Sequence, residues 1–584
     1  MFRRFLTTAA AAGAAAALPL VALLAQPSAE RGATPAAKAA AEAPAARPLK
    51  YTARPTGPAI TPGDLMSRLY PFADDSMMGR EAGTLGNVKG TDYLAAEAKR
   101  LGLQPAGDAG TYFQTLPYKV RSVDPASRLA VGGTAMTFGT DWVASGIRPA
   151  SVENAPVVFG GTLGDSAMLR GNATAGKVVV YRVPLTPGAL RYLRGESPAP
   201  QAAALVLLGL DPFMRYLSRP QQFADDPASR PAGADAPPAL IVATARADAF
   251  FGAPLEGVKV GATGKSVTLA FTPKVEPVPF PLRNVVAVLP GSDPALRGEY
   301  VAVGAHNDHV GLARRAVDHD SLRLFNRVVR PGGAEDEGKV ATPAQLAQVN
   351  ADLTAWRRAH PNSSRPDSIY NGADDDGSGS VTVLEVAERL AAMKTRPKRS
   401  LLFVWHTGEE KGLWGSEWYT DHPTVPRDSV VAQLNIDMVG RGAAADLAGE
   451  TKDGQPVHGG PDYVQLVGSR RLSTELGDLI ETVNRDNKLG LTFDYSMDAN
   501  GHPMNIYCRS DHYSYARYGI PVVFFTTGGH ADYHQVCDEP QYIDYGRMAR
   551  VGNLVADAAV RVADLDHRVA VDHAKPDPKG SCQQ

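Results

Sequence analysis

The sequence has few cysteines and no excess of charge of either sign. Only Cys508, Cys537 and Cys582 occur in 584 residues, and no pair of them has the CxxC spacing typical of cysteine-ligated metals. Sixty basic residues against 62 acidic ones leave a formal net charge of −2, which gives no electrostatic reason to expect a nucleic-acid or anionic-membrane partner. We therefore expect neither a cysteine metal site nor nucleic-acid binding.

Long hydrophobic runs are also scarce. Residues 1–29 carry Arg3 and Arg4, then an Ala- and Leu-rich run that Pro19 interrupts, then small residues. This pattern is typical of a signal peptide and not of a membrane span. We expect an exported protein, periplasmic or secreted, without stable membrane insertion.

The three cysteines leave two alternatives open in an oxidising compartment. Cys508 and Cys537 could pair and leave Cys582 free in a polar tail, or all three thiols could stay unpaired.

The chain is too long for one hydrophobic core, so we expect more than one domain. Residues 30–57 are rich in Ala and Pro and predict a linker. Short strand-like runs between Gly, Pro and Asp predict a β-rich unit at 145–276, inserted into a larger domain formed by 58–144 and 277–565. A polar tail follows at 566–584.

The larger domain alternates buried strands with helices. Continuous apolar runs at 300–305, 400–406, 430–437 and 520–528 predict strands, and residues 380–394 show helical spacing between two of them. This pattern predicts an α/β fold with a largely parallel central sheet. A long connection at 311–370 includes a second helical pattern.

Imidazoles and carboxylates follow these strands. They are His306 with Asp308, Glu409 with Glu410, Asp437, His534, and the glycine-flanked run Asp374-Asp375-Asp376. Because ligands in open α/β sheets bind at the carboxyl ends of strands, we expect these side chains to converge. Two imidazoles and three carboxylates match the nitrogen and oxygen ligands of two zinc-like ions.

The same aspartate run has an alternative interpretation. Asp374, Asp376, Ser378, Gly379 and Glu385 occupy positions 1, 3, 5, 6 and 12 of a calcium-binding hand. Such a hand needs a helix that runs into the loop, and the preceding residues "PNSSRPDSIYNG" are turn formers with two prolines. The calcium alternative is therefore disfavoured.

The motifs "GAHNDH", "NGADDDGSG", "HTGEEKGLWGS", "NIDMVG", "RSDHYSYARYGIPVVFFTTG" and "DYHQVCDEPQYID" resemble, in order, those of the M28 dizinc exopeptidases. The resemblance implies a three-layer α/β/α fold of the phosphorylase/hydrolase-like type, with a cis peptide after Asp375. The implied metal ligands are His306, Asp375, Glu410, Asp437 and His534, with Asp375 bridging the ions. Residues 145–276 resemble a protease-associated domain.

The resemblance also implies roles for three further residues. Asp308 would orient His306, Glu409 would act as general base, and Tyr533 would stabilise the oxyanion. His309, His512 and His530 compete with the chosen histidines; His512 is expected to support the site or face substrate, and His530 to be structural.

The implied activity is hydrolysis of peptides with a free N-terminus by two Zn²⁺, although other divalent transition metals could substitute. A carboxypeptidase of the same fold stays open, since Arg509 or Arg517 could hold a substrate carboxylate. A glutaminyl cyclase and a calcium-binding non-enzyme are the remaining alternatives.

Overall fold

The computed structural model describes residues 47–55, 57–144, 149–184, 186, 197–225, 237–361 and 365–584. These residues form two compact units, one of Leu116–Pro281 and one that combines the described residues up to Thr115 with Leu282–Gln584. The predicted signal peptide and most of the predicted linker lie outside the described residues. Within the described part of the chain, no helix has the length and apolar character to cross a membrane.

The larger unit contains a nine-stranded sheet. Its hydrogen-bonded order is Gln104–Pro105, Leu282–Leu289, Ser400–His406, Tyr300–His306, Val430–Ile436, Val522–Thr526, Tyr463–Val467 and Thr492–Asp494, with Phe113–Leu116 also paired to Leu282–Leu289. The four central strands are parallel to one another, and antiparallel pairs flank them. The predicted α/β fold is confirmed, and the edges make the sheet mixed.

Helices cover both faces of this sheet. Along one central strand, Val301 and Val303 belong to one hydrophobic core and Ala302 to another, because successive strand residues point to opposite faces. Helices Pro62–Phe72, Leu85–Arg100, Gly379–Ala391, Thr474–Asp486 and Tyr545–Ala563 contribute to the first core, and helices Trp414–Asp421 and His512–Ala516 contribute to the second. The domain therefore has the expected three-layer α/β/α architecture.

The connection at 311–370 has structure of its own. Strands Leu312–Asp318 and Pro366–Ile369 pair antiparallel, and helices His319–Val329 and Pro343–Ala359 lie between them in sequence. A capping box between Thr342 and Gln345 starts the second helix.

The smaller unit is rich in strands. Its eight-stranded sheet has the order Thr134–Met136, Arg128–Val131, Thr263–Phe271, Ala150–Thr162, Val178–Arg182, Ala204–Leu208, Ala239–Val242 and Trp142–Ala144. A three-stranded sheet joins Gln221–Ala224, Tyr118–Val123 and Pro273–Pro277, and helices Asp211–Leu217 and Asp248–Phe251 complete the unit. The unit begins before residue 145; its assignment as a protease-associated domain stays a prediction.

The suggested Cys508–Cys537 pairing is wrong. Cys508 forms a disulfide with Cys582, and Cys537 is a buried free thiol. The reason is the course of the polar tail, which returns to the domain: the Gln584 side chain accepts from the Tyr507 amide at 3.0 Å. That return places Cys582 beside Cys508.

Candidate metal centre

The carboxyl ends of the parallel strands bring the predicted ligands together. His306 ends its strand, Asp437 follows Val430–Ile436, and Glu410 and His534 lie in loops after two other strands. Their donor atoms form two groups, one of His306, Asp375 and Asp437 and one of His309, Asp375, Glu410 and His534; within each group these atoms lie within 4.8 Å of one another. Asp375 is common to both groups.

The distances around Asp375 define two adjacent sites. Its Oδ1 lies 3.1 Å from Nε2 of His306, which is 3.6 Å from Oδ1 of Asp437. Its Oδ2 lies 2.9 Å from Nε2 of His534, which is 2.8 Å from Oε2 of Glu410. Each oxygen of Asp375 thus faces a different imidazole.

These residues fit divalent metal ions. Ligand atoms about 2.0–2.1 Å from a tetrahedral ion are separated by about 3.3 Å, which is close to the observed spacings. Among the described residues, Nε2 of His306, Nε2 of His534 and Oδ2 of Asp375 are buried with no hydrogen-bond partner. Buried polar atoms rarely lack partners, so this set is suited to coordinate cations.

The three consecutive aspartates have different partners. Asp374 accepts a hydrogen bond from the Gly440 amide at 2.6 Å and lies 3.1 Å from Nε2 of His530. Asp376 accepts from the amides of His306 at 3.0 Å and Gly379 at 2.8 Å, the latter at the start of a helix. Only the middle aspartate faces both imidazoles of the centre, and the predicted cis peptide Asp375–Asp376 is present.

A buried carboxylate and a buried guanidinium hold this loop from behind. Asp538 accepts from the amides of Asp374 at 2.9 Å and Asp375 at 3.1 Å. Arg80 donates to the carbonyls of Asn371 at 2.7 Å and Gly372 at 2.8 Å. The position of Asp375 is therefore fixed by its main chain as well as by its side chain.

Sequence reasoning did not include His309 among the ligands. Its Nδ1 lies 2.8 Å from Oε1 of Glu410, the oxygen that does not face His534. Gly372 permits this arrangement, since it has a φ of +55° and an added Cβ would lie 2.5 Å from Cγ of His309. The available signal was the "HNDH" motif, which places His309 only three residues after His306.

Glu409 and Asp308 lie at the same edge. Oε2 of Glu409 is 3.9 Å from Nε2 of His306, and the Glu409 amide donates to Oδ1 of Asp308 at 3.1 Å. Nδ1 of His306 is 3.1 Å from the carbonyl oxygen of Asp308 and 3.7 Å from its carboxylate. The closer atom of Asp308 to the His306 ring is therefore the main-chain oxygen.

Tyr533 and Arg509 border the centre on the side of His534. The Tyr533 ring stacks on that of His534 with ring centroids 4.1 Å apart, and its hydroxyl lies 3.5 Å from Nη2 of Arg509. Arg509 forms an ion pair with Glu335. The next residue, Ser510, donates to Oδ2 of Asp437 at 2.6 Å.

The carboxylates of the centre have divergent acidities. Burial alone would raise the pKa of Asp375, but the imidazoles of His306 and His534 beside its two oxygens hold that pKa well below its ordinary value. Burial likewise opposes ionisation of Glu410, yet the two imidazoles beside it lower its pKa to about 2. In contrast, burial together with the charge of Glu410 raises the pKa of Glu409 well above its ordinary value.

In the two histidines, neighbouring carboxylates outweigh burial and raise the pKa. Burial would lower the pKa of His306, but Asp437 and the neighbouring carboxylates raise it well above the ordinary value. The same competition raises the pKa of His534, with Glu410 as the leading charge. The centre thus strongly favours positive charge among its carboxylates.

The other two histidines considered as alternative ligands, His512 and His530, lie outside the metal centre. His530 is buried beside Asp374, in line with a structural role, and His512 is buried with its ring stacked on Phe524 at a centroid distance of 4.8 Å. The calcium alternative is wrong, because Glu385 pairs with Arg68 and Asp376 accepts main-chain amides.

A three-layer α/β/α domain with an imidazole–carboxylate cluster at the carboxyl ends of its parallel strands has the architecture of a metal-dependent hydrolase. Comparison with known families gives the specific assignment. Residues 284–559 match the model of peptidase family M28, and this part of the chain belongs to that family.

Two curated relatives match shorter segments. A probable leucine aminopeptidase of Trichophyton verrucosum is 30% identical over 147 residues, which are 24% of this chain and 37% of that protein. Leupeptin-inactivating enzyme 1 of Streptomyces exfoliatus is 38% identical over 96 residues, 15% of this chain and 22% of that protein. The matches therefore span well under half of the length of these two relatives.

Two solved structures resemble a larger share of the chain. An aminopeptidase from Aneurinibacillus sp. strain AM-1 is 15% identical, with a TM-score of 0.46, and the match covers 88% of this chain and 97% of that one. BSAP, a zinc aminopeptidase from Bacillus subtilis, is 18% identical, with a TM-score of 0.43 and coverage of 85% and 94%.

Proposed function

We propose that the protein is an exported dizinc aminopeptidase that removes N-terminal residues from peptides. The observation that carries the proposal is the position of Asp375, whose two oxygens face separate imidazoles 3.1 and 2.9 Å away. A shared carboxylate with one donor group on each side suits two neighbouring divalent ions.

In this proposal His306 and Asp437 would hold one ion, Glu410 and His534 would hold the other, and Asp375 would be a ligand shared by both. His309 is an outer partner that fixes Glu410 through Oε1 and leaves Oε2 for the ion. The three ligand carboxylates offset most of the positive charge of two divalent ions, which limits the cost of burying them.

The ions, when bound, would polarise the scissile carbonyl and make a water molecule more acidic. Glu409 is the general base: it takes a proton from the attacking water and gives it to the amine that leaves. Tyr533 donates a hydrogen bond to the oxygen on which negative charge develops. Asp308 orients His306, through its main-chain oxygen at 3.1 Å and its carboxylate at 3.7 Å.

An aminopeptidase is favoured over a carboxypeptidase because both candidate carboxylate-binding arginines are paired. Arg509 pairs with Glu335, and Arg517 pairs with Asp421 and lies 3.6 Å from Glu417. The names of the leucine aminopeptidase relatives point in the same direction. A glutaminyl cyclase, which uses one zinc, would not need the complete set of two-ion ligands.

Export is supported by the disulfide between Cys508 and Cys582, since disulfides persist mainly in oxidising compartments. The signal-peptide pattern at 1–29 agrees with it.

The test is hydrolysis of leucine p-nitroanilide, its N-acetylated analogue and C-terminally free peptides by the purified full chain, with and without a chelator. The proposal predicts cleavage of substrates with a free N-terminus only, loss of activity after chelation, and recovery with Zn²⁺. Cleavage restricted to N-blocked, C-terminally free peptides would show a carboxypeptidase instead.

Variants separate the roles of the residues. Glu409→Gln should keep two metal ions per chain by elemental analysis while kcat falls by about 10²–10⁴-fold, the usual size of a general-base contribution. Asp375→Asn should lose metal as well as activity. The exposed Glu450→Gln is the matched control and should change neither; full turnover by Glu409→Gln would remove Glu409 from its role.

A further inference from the structure

The connection at 311–370 brings a short turn against the metal centre. In this turn, Gly333–Asp336, the amide of Ala334 donates to the carbonyl of Tyr533 at 3.1 Å. Gly333 has a φ of +59°, and a Cβ added to it would lie 2.5 Å from the same carbonyl oxygen. The close main-chain contact fixes the turn beside Tyr533, the residue before His534.

This turn carries a carboxylate to a basic residue of the site. Glu335 pairs with Nη2 of Arg509, the nitrogen that also lies 3.5 Å from the hydroxyl of Tyr533. Arg509 directly precedes Ser510, which holds Asp437. The side chains of Arg509 and Glu335 are 38% and 40% exposed, so the pair lies at the border between the buried centre and solvent.

The charges of the pair would act on any substrate carboxylate that comes close to them. Arg509 without a partner would attract a free substrate carboxylate. With Glu335 in contact, the positive charge is offset, and an incoming carboxylate meets a like charge. Specificity arises from such a repulsive group as readily as from an attractive one.

We propose that Glu335 is a specificity-determining residue that masks Arg509 and makes the site disfavour peptides with a free carboxylate next to the cleaved bond. Dipeptides are then poor substrates, and amidated or longer peptides are good ones. This inference rests on the proposed aminopeptidase function.

The experiment compares leucylglycine with leucylglycinamide, which differ only in the carboxylate. For the full-length zinc-loaded protein, kcat/KM should favour the amide, and Glu335→Gln should reduce the amide-to-dipeptide ratio by about tenfold, mainly through a lower KM for the dipeptide. Glu337→Gln, which changes a glutamate just after the same turn, should leave the ratio unchanged. The double variant Glu335→Gln/Arg509→Met should lose the gain for the dipeptide, because Arg509 is the group that Glu335 masks.

A binding measurement separates this inference from the proposed function. In the Glu409→Gln background, calorimetric titration with the two peptides should show the same shift in their relative Kd when Glu335 is replaced. An unchanged ratio in Glu335→Gln, or an equal shift in Glu337→Gln, would overturn the inference. Absence of cleavage by the unaltered protein with any N-terminally free substrate would instead overturn the aminopeptidase proposal, and the titration would still decide the role of Glu335.

Discussion

A buried neutral histidine should make the protein sensitive to acid. His512 begins a helix, is fully buried, and stacks on Phe524 with an edge contact to Tyr507 at 5.5 Å. Burial lowers its pKa from 6.5 to about 3. Because the unfolded chain binds a proton at His512 below pH 6.5 and the folded chain does so only near pH 3, folding stability falls as the pH decreases through this window.

The size of the effect follows from the two pKa values. Between them, one proton of difference changes the free energy of unfolding by about 1.4 kcal/mol per pH unit. From pH 7 to pH 5 the loss due to His512 is therefore about 2 kcal/mol. His512→Phe keeps an aromatic ring against Phe524 and removes the titration, so it should lose about 2 kcal/mol less stability than the unaltered protein over that interval.

The assay is urea denaturation at both pH values, with the metal content held the same for every variant. Other titrating groups, including the histidines of the metal centre, are present in all variants and cancel in the difference. The exposed His458→Phe is the control and should keep the original pH dependence. If His512→Phe also keeps it, the buried imidazole is not the origin of the acid sensitivity and the reasoning is wrong.

Two further predictions concern the disulfide and the loop behind Asp375. Removing the Cys508–Cys582 bond with Cys582→Ser should lower the free energy of unfolding by up to about 4 kcal/mol, from the entropy of closing a loop of 74 residues, and added reductant should then have no further effect on the urea midpoint. A midpoint equal to that of the oxidised parent would contradict this. Asp538→Asn weakens the acceptor of the Asp374 and Asp375 amides and should reduce zinc affinity by about 10–100-fold in competition with a chelating dye, whereas an unchanged affinity would show that the loop holds its shape without it.

The central sheet was predictable because buried parallel strands are continuous apolar runs. The four runs at 300–305, 400–406, 430–437 and 520–528 all became central strands, and their ends fixed where His306 and Asp437 would lie. The joint occurrence of imidazoles and carboxylates after such strands then identified the edge. The sheet fixes the position of a side chain at the end of a strand. The ligands at the ends of neighbouring parallel strands therefore lie close together.

Residues in loops were less accessible to sequence reasoning. The orientation of the His309 ring depends on its contact with Gly372, which is more than sixty positions away in the sequence. Asp538 accepts hydrogen bonds from main-chain amides, and because every residue type except proline has such an amide, the sequence around it gives no sign of this role. The prediction of the partner of Cys508 failed for the same reason, because the polar tail has no apolar pattern that shows where on the domain it packs. Long-range main-chain contacts of this kind are set by tertiary packing alone.

The pairing of strands Phe113–Leu116 and Leu282–Leu289 bears on how the smaller unit is inserted into the chain. Residues just before and just after the smaller unit are hydrogen-bonded neighbours in the large sheet. A short connection could therefore replace the entire β-rich module at that point, while the strands that carry His306 and Asp437 to the metal centre stay in place.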